Sequence, residues 1–191
     1  MIQRIDHVSI AVRDYDKALD FFTCILGAIP GSCARDDHMR YVWQINSLGD
    51  LSRLELISPT GTGSFLDGFL KDREGGVHHI TLQTPDIQHA RKVLEKTGIP
   101  YFGYNEYPGG VWKELFIHPR HAFGVLIQIA EFTADDWLAQ SVRMPAGRKF
   151  AVEKTASGCT LTLAHPGGGT MTCELSKDEA SSLIETLQKI V

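Results

Sequence analysis

One segment of this chain is written twice. The stretch from Ile5 reads IDHVSIAVRDYDKALDFFTCILGAIP, and the stretch from Val77 reads VHHITLQTPDIQHARKVLEKTGIP. Aligned on His7 and His79, 72 positions apart, they also match at Asp14 and Asp86 and at Ala18 and Ala90. With one residue deleted Gly27 falls on Gly98, and with a second deleted Pro30 falls on Pro100. A repeat of this length is one supersecondary unit used twice. Each copy carries a histidine at the same place on its first strand, so the seam between the copies can bring two imidazoles together.

Within the copies the periodicities are clear. Over 3–12, Val8, Ile10 and Val12 point one way and His7, Ser9 and Ala11 the other, the signature of a strand. The spacing predicts a helix over 15–26, with Ala18, Leu19, Phe22, Ile25 and Leu26 as its apolar stripe, Asp14 as N-cap and Gly27 as stop. Strand patterns follow near 28–34, 39–47 and 52–58, and a short helix in FLDGFLKD bridges to the second copy. That copy predicts a strand over 77–84, a helix over 87–97 and strands near 100–106, 111–118 and 123–131, with Pro108-Gly109-Gly110 as a turn. Each copy is therefore β-α-β-β-β, an α+β domain over 1–135 with modules at about 3–60 and 76–132. Residues 136–191 read as a linker, then two or three short strands and a final helix opened by the capping box Ser176 to Glu179. Its apolar stripe is Ala180, Leu183, Ile184, Leu187 and Ile190. We expect a chain cut near Asp136 to stay folded.

The last strands of the copies also correspond. RLELIS places Glu55 opposite Gln128 of LIQIAE, 73 positions apart and in register with the histidine pair to within one residue. Leu54 and Leu56, and Val125, Ile127 and Ile129, face one way, while Glu55 and Gln128 face the other. Four strands thus each turn an apolar face to the helices and a polar residue away from them: His7, Glu55, His79 and Gln128. A lone buried histidine is usually a hydrogen-bonded structural residue. Two His, one Glu and one Gln at repeat-equivalent positions instead suit a divalent ion with open coordination positions.

The remaining candidates carry less. His78 should point to the opposite face and is read as structural, and Glu131 should face away from Gln128. His118, Arg120 and His121 surround Pro119 in a turn, where Arg120 and His121 are candidates for contact with an anionic substrate. Asp37 and His38 lie on a strand that should border the site and are candidates for a second acid or base. His89 and His165 read as surface residues. The net charge of −4 and the lack of a basic stripe argue against nucleic acid. No apolar run approaches a membrane span, and no leader pattern precedes the first strand. The four cysteines, Cys24, Cys33, Cys159 and Cys173, lack CxxC spacing and read as free thiols of a cytoplasmic protein.

These residues resemble the vicinal oxygen chelate superfamily, which includes glyoxalase I, methylmalonyl-CoA epimerase, extradiol dioxygenases and fosfomycin-resistance proteins. The match covers 3–132. IDHVSIAV, FLKDREGGVHHITL and HPRHAFGVLIQIAEF read most like the epimerase. The resemblance implies paired βαβββ modules forming one cup-shaped mixed sheet around one divalent metal, with His7, Glu55, His79 and Gln128 as ligands and Zn, Co, Ni or Mn as the ion. It implies a metal-dependent isomerase or lyase moving a proton next to a carbonyl, with Glu55 as base. The substrate would be a small carbonyl compound, an acyl-CoA or glutathione thioester, and the protein a homodimer. The family expects Glu at the position of Gln128, and a second epimerase base near Asp37 and His38. The alternatives are a 2-His-1-carboxylate dioxygenase holding Fe, and a non-catalytic small-molecule binding protein of the same fold. Gln128→Glu is expected to restore the family's acid.

Overall fold

The computed structural model describes residues 1–49 and 52–191. Contacts divide it into two units, Met1–Ala139 and Gln140–Val191. The first unit opens with β1 (Arg4–Val12), helix α1 (Tyr15–Asp20), and strands β2 (Ile29–Asp36), β3 (Tyr41–Leu48) and β4 (Ser52–Pro59). The short helix α2 (Asp67–Leu70) leads to β5 (Gly75–Gln83), α3 (Ile87–Thr97), β6 (Phe102–Glu106), β7 (Trp112–Ile117) and β8 (Ile127–Phe132). Among the described residues these strands form one curled sheet in the order β2-β3-β4-β1-β5-β8-β7-β6. Read from its centre, each half is the same: β1 lies parallel to β4, β5 lies parallel to β8, and the two modules join through the antiparallel β1–β5 pair.

The helices start where the repeat puts them. Asp14 accepts the Lys17 amide at 3.0 Å and Asp86 accepts the His89 amide at 2.9 Å, filling orphan donors of each first turn. Gly98 ends α3 in the left-handed conformation at φ 70°, which costs glycine nothing. The α3 face is the better packed of the two. Ile87, Ala90 and Leu94 bury against Leu115, Ile117 and Ile129, each worth about 1.5–3 kcal/mol for the larger side chains. The α1 stripe departs from expectation. The helix widens into a π-turn over Phe21–Ile25, with the Leu26 amide bonded to the Phe21 carbonyl. The extra residue in that turn rotates the stripe, so Ile25 and Leu26 are exposed while Ala18, Leu19 and Phe22 are half-buried.

The expected boundary at 135 falls inside the first unit. Trp137 packs on Trp43 at 5.6 Å and on Trp112 at 5.1 Å between ring centroids, and Leu138 is buried. The carbonyl of Asp136 accepts from Ser32 Oγ on β2. A chain ending at Ala139 is expected to match the urea midpoint of the full chain's first transition. One ending at Asp136 should lose about 3–5 kcal/mol, the usual cost of removing a large packed aromatic side chain.

The second unit consists of β9 (Phe150–Lys154), β10 (Gly158–Ala164), β11 (Thr170–Ser176) and helix α4 (Lys177–Gln188), with the sheet ordered β11-β10-β9. The capping box is present, with Ser176 Oγ accepting the Glu179 amide and the Glu179 carboxylate accepting the Ser176 amide. Three strands and one helix offer little cover, and Ile184, Leu187 and Ile190 stay exposed. Among the described residues no helix is long and apolar enough to cross a membrane.

Candidate metal centre

The strand register assembles the site as two rows that are copies of each other. Ser9 pairs with Glu55 on one side and His79 on the other. Thr81 pairs with Gln128 on one side and His7 on the other. Each row therefore holds the polar residue of a module's last strand, a hydroxyl residue, and the histidine of the opposite module. The repeat thus interleaves across the seam, so that each row draws on both modules.

A β-bulge in each module then aims the histidine. The β1–β5 register skips Asp6 and His78, which are repeat equivalents. An extra residue in one strand breaks the alternation and turns two successive side chains to nearly the same side. Asp6 consequently reaches His7, whose Nδ1–H donates to Asp6 Oδ2 at 2.8 Å. His78 Nδ1 lies 2.9 Å from His79 Nδ1. Both histidines have their Nδ1 occupied and turn Nε2 inward: His7 Nε2 is 3.7 Å and His79 Nε2 3.6 Å from Glu55 Oε2. One ligand atom each of His7, Glu55 and His79 lie within 4.8 Å of one another. His78, expected on the opposite face, is thus a partner of the site because the bulge overrides simple alternation. Its ring also meets Phe65 and Phe69 edge-on.

The residues fit a cation. The buried His79 Nε2 has no hydrogen-bond partner among the described residues. Burial, with the His7 and His78 rings nearby, holds His79 well below the usual imidazole range, so at neutral pH it offers a lone pair. Burial raises the Glu55 carboxyl, against the lowering influence of His7 and Ser9. Carboxylate, imidazole and amide oxygen are the donor set of a borderline divalent ion, and the Asp6 carboxylate on Nδ1 fixes the tautomer of His7.

Asp6 anchors this arrangement. Burial opposes its ionisation, but the His7 hydrogen bond and the charges of Arg53, His7 and Arg4 outweigh burial and hold the carboxyl below its usual range. Arg53 and Arg4 both bond to Asp6 Oδ1. A depressed folded-state pKa adds stability that is present above the unfolded value, about 3.9, and is lost as pH falls through the folded value. Asp6→Asn should cost about 3–5 kcal/mol at pH 7, as breaking a buried ion pair does. The gap between parent and variant in thermal scans should close below about pH 4.

Gln128 sits at the end of its row, with its Oε1 accepting from Thr81 Oγ1, which is also 2.8 Å from His7 Nε2. Its Nε2 donates to Glu114 Oε2 at 2.6 Å. Glu114 went unnoticed in the sequence because its repeat partner is Trp43, so the internal comparison does not single it out. Burial raises its carboxyl, against hydrogen bonds from Trp112, Gln128 and Tyr107. Asp6, Ser9, His78 and Thr81 were also missed as site residues. The signal available was the 72-residue offset, which pairs Asp6 with His78 and Ser9 with Thr81.

Two cavities meet at Glu55, Glu114 and Gln128. The smaller, about 150 Å³, is lined by all three tryptophans, Trp43, Trp112 and Trp137, with Tyr41, Ile45 and Val111. The wider, about 640 Å³, is lined by Phe65, His78, Phe102, Tyr104, Tyr107 and Phe116 among others. Three sequence candidates fall outside both. Asp37 lies beyond the end of β2, its side chain 86% exposed and paired with Arg35. Its neighbour Asp36, the last residue of the strand, lines the cavities instead. Arg120 and His121 lie exposed in the 3-10 turn Pro119–His121, where Arg120 Nε donates to His118 Nδ1. That turn is capped by the His118 side chain, and neither residue lines either cavity. His38 lines the rim of the wider cavity.

The sequence model described as the Glyoxalase/Bleomycin resistance protein/Dioxygenase superfamily matches residues 6–116. The ethylmalonyl-CoA/methylmalonyl-CoA epimerase of Cereibacter sphaeroides is 35% identical over 134 residues, covering 69% of this chain and 99% of that protein. The mitochondrial methylmalonyl-CoA epimerase of Homo sapiens is 35% identical over 131 residues, covering 67% of this chain and 73% of its own. Among solved structures, the methylmalonyl-CoA epimerase of Mycobacterium tuberculosis matches with a TM-score of 0.63 and 25% identity, over 69% of this chain and 89% of that one.

Proposed function

Because the chain belongs to the Glyoxalase/Bleomycin resistance protein/Dioxygenase superfamily, and its relatives mark it as an enzyme of isomerase type, we propose that it epimerises a 2-substituted acyl-CoA thioester at one divalent metal ion. The observation that carries this reading is the Glu55 carboxylate, which faces both inward imidazole nitrogens. The relatives named above act on malonyl-type CoA thioesters, whose C2 proton is acidified by the flanking carbonyls.

His7, Glu55, His79 and Gln128 would hold the ion. When bound it would supply Lewis-acid charge to the thioester carbonyl oxygen. Glu55 takes the C2 proton: the C–H bond breaks, the proton goes to a carboxylate oxygen, and the electron pair moves into the enolate. Delivery of a proton to the opposite face of C2, from a group on that side such as the cavity-lining Asp36 or His38, inverts the centre. Glu55 then gives its proton to water as that group is reprotonated, so atoms and electrons balance. A base of raised pKa is matched to taking a proton near neutral pH. The tryptophan-lined cavity suits the substituted end of the substrate, and the wider opening suits the acyl carrier. The exposed Phe21, Ile25 and Leu26 support pairing of two copies into a homodimer.

The test is proton NMR in D2O with metal-reconstituted protein. Methylmalonyl-CoA or ethylmalonyl-CoA should lose its C2–H signal in step with epimerisation. Turnover of a glutathione hemithioacetal without thioester exchange would move the protein to the glyoxalases. Oxygen uptake with a catechol would move it to the dioxygenases.

A further inference from the structure

The half of the repeat that carries an amide ligand also carries an extra carboxylate. Gln128 has two chemically different ends, and only its oxygen can ligate a metal ion. Its Nε2 donates to Glu114 Oε2 at 2.6 Å, an atom that can only accept while the carboxyl is ionised. Oε1 is thereby turned toward Thr81 and, through it, His7 Nε2. Glu114 is itself held from two further sides. Trp112 Nε1 donates to Oε2 at 2.8 Å and Tyr107 Oη donates to Oε1 at 3.3 Å. In the other half, the position equivalent to Glu114 is Trp43, and the ligand is Glu55. A carboxylate presents oxygen whichever way it turns and needs no such partner.

We infer that Glu114 is a positioning residue that makes Gln128 an oxygen ligand, so that amide and outer carboxylate together do the work of the single glutamate expected there. The inference rests on the metal site of the proposed function but not on which substrate is turned over. It also changes the expectation for Gln128→Glu. That substitution alone sets two carboxylates at the place of a 2.6 Å hydrogen bond, where both do not ionise readily.

Isothermal titration with Zn²⁺ on the full chain tests this without any activity assay. Glu114→Met removes the acceptor and should weaken Zn²⁺ binding about 10–100-fold, the usual cost of losing an outer partner. Glu114→Gln keeps an acceptor oxygen, fixed by Trp112 and Tyr107, and should stay within about threefold of the parent, well short of that loss. In a Gln128→Glu background, Glu114→Met should not weaken binding, because residue 128 then has no wrong end to present. Equal weakening by Glu114→Met in both backgrounds would show a merely structural role and overturn the inference, as would no weakening in the parent. A parent that takes up no Zn²⁺, Co²⁺, Ni²⁺ or Mn²⁺ would overturn the metal reading itself, and this inference with it.

Discussion

Glu55→Gln is expected to slow solvent exchange at C2 of the thioester by about 10²–10⁴-fold, the usual worth of a positioned general base. The chemistry of the cup leaves few other groups for the task. His7 Nδ1 is committed to Asp6 and His79 Nδ1 to His78. The neutral amide of Gln128 cannot take up a proton at neutral pH. Glu114 is bound to three donors. Glu55 alone combines an anionic oxygen, a place between both imidazoles and a carboxyl raised by burial. The amide preserves shape and an oxygen donor, so metal content should fall less than turnover. Exchange by Glu55→Gln at the parent's rate would place the base elsewhere, and Asp36 and His38 at the cavity walls would be tested next.

His7→Ala and His79→Ala should each abolish stoichiometric metal and bring exchange below detection. Both rings sit at the seam where each module completes the other's row, so one loss breaks a site that the other module cannot repair. The loss in affinity should exceed the roughly 10–100-fold expected for the outer partners, which Asp6→Asn and His78→Phe measure separately. Elemental analysis after dialysis gives the content, and circular dichroism shows whether the fold survives. A His7→Ala/His79→Ala double variant that keeps one ion per chain would contradict the assignment.

The repeat made the modules, the helix caps and four inward residues readable, because periods of two and 3.6 are local properties of a sequence. What it concealed depends on the partner strand. The bulges at Asp6 and His78 are shifts of pairing, invisible in either strand alone, and they decide that both residues belong to the site. Glu114 has no counterpart in the first copy, since Trp43 stands there, so comparison of the copies could not find it. Trp137 looked like linker because its neighbours are polar, yet it completes the tryptophan wall. Arg120 and His121 drew notice as charges at a turn and Asp37 as a residue of a bordering strand, and in the fold all three are exposed.

The most direct test of the central claim, one metal ion held across the seam of the repeat, is X-ray absorption of the zinc-loaded protein. The account predicts a shell of nitrogen and oxygen at about 2.0–2.2 Å with the outer-ring scattering of two imidazoles. That signature should be lost in the His7→Ala/His79→Ala double variant. A sulfur shell near ~2.3 Å would mean that the free cysteines, not the cup, hold the metal, and would contradict the account.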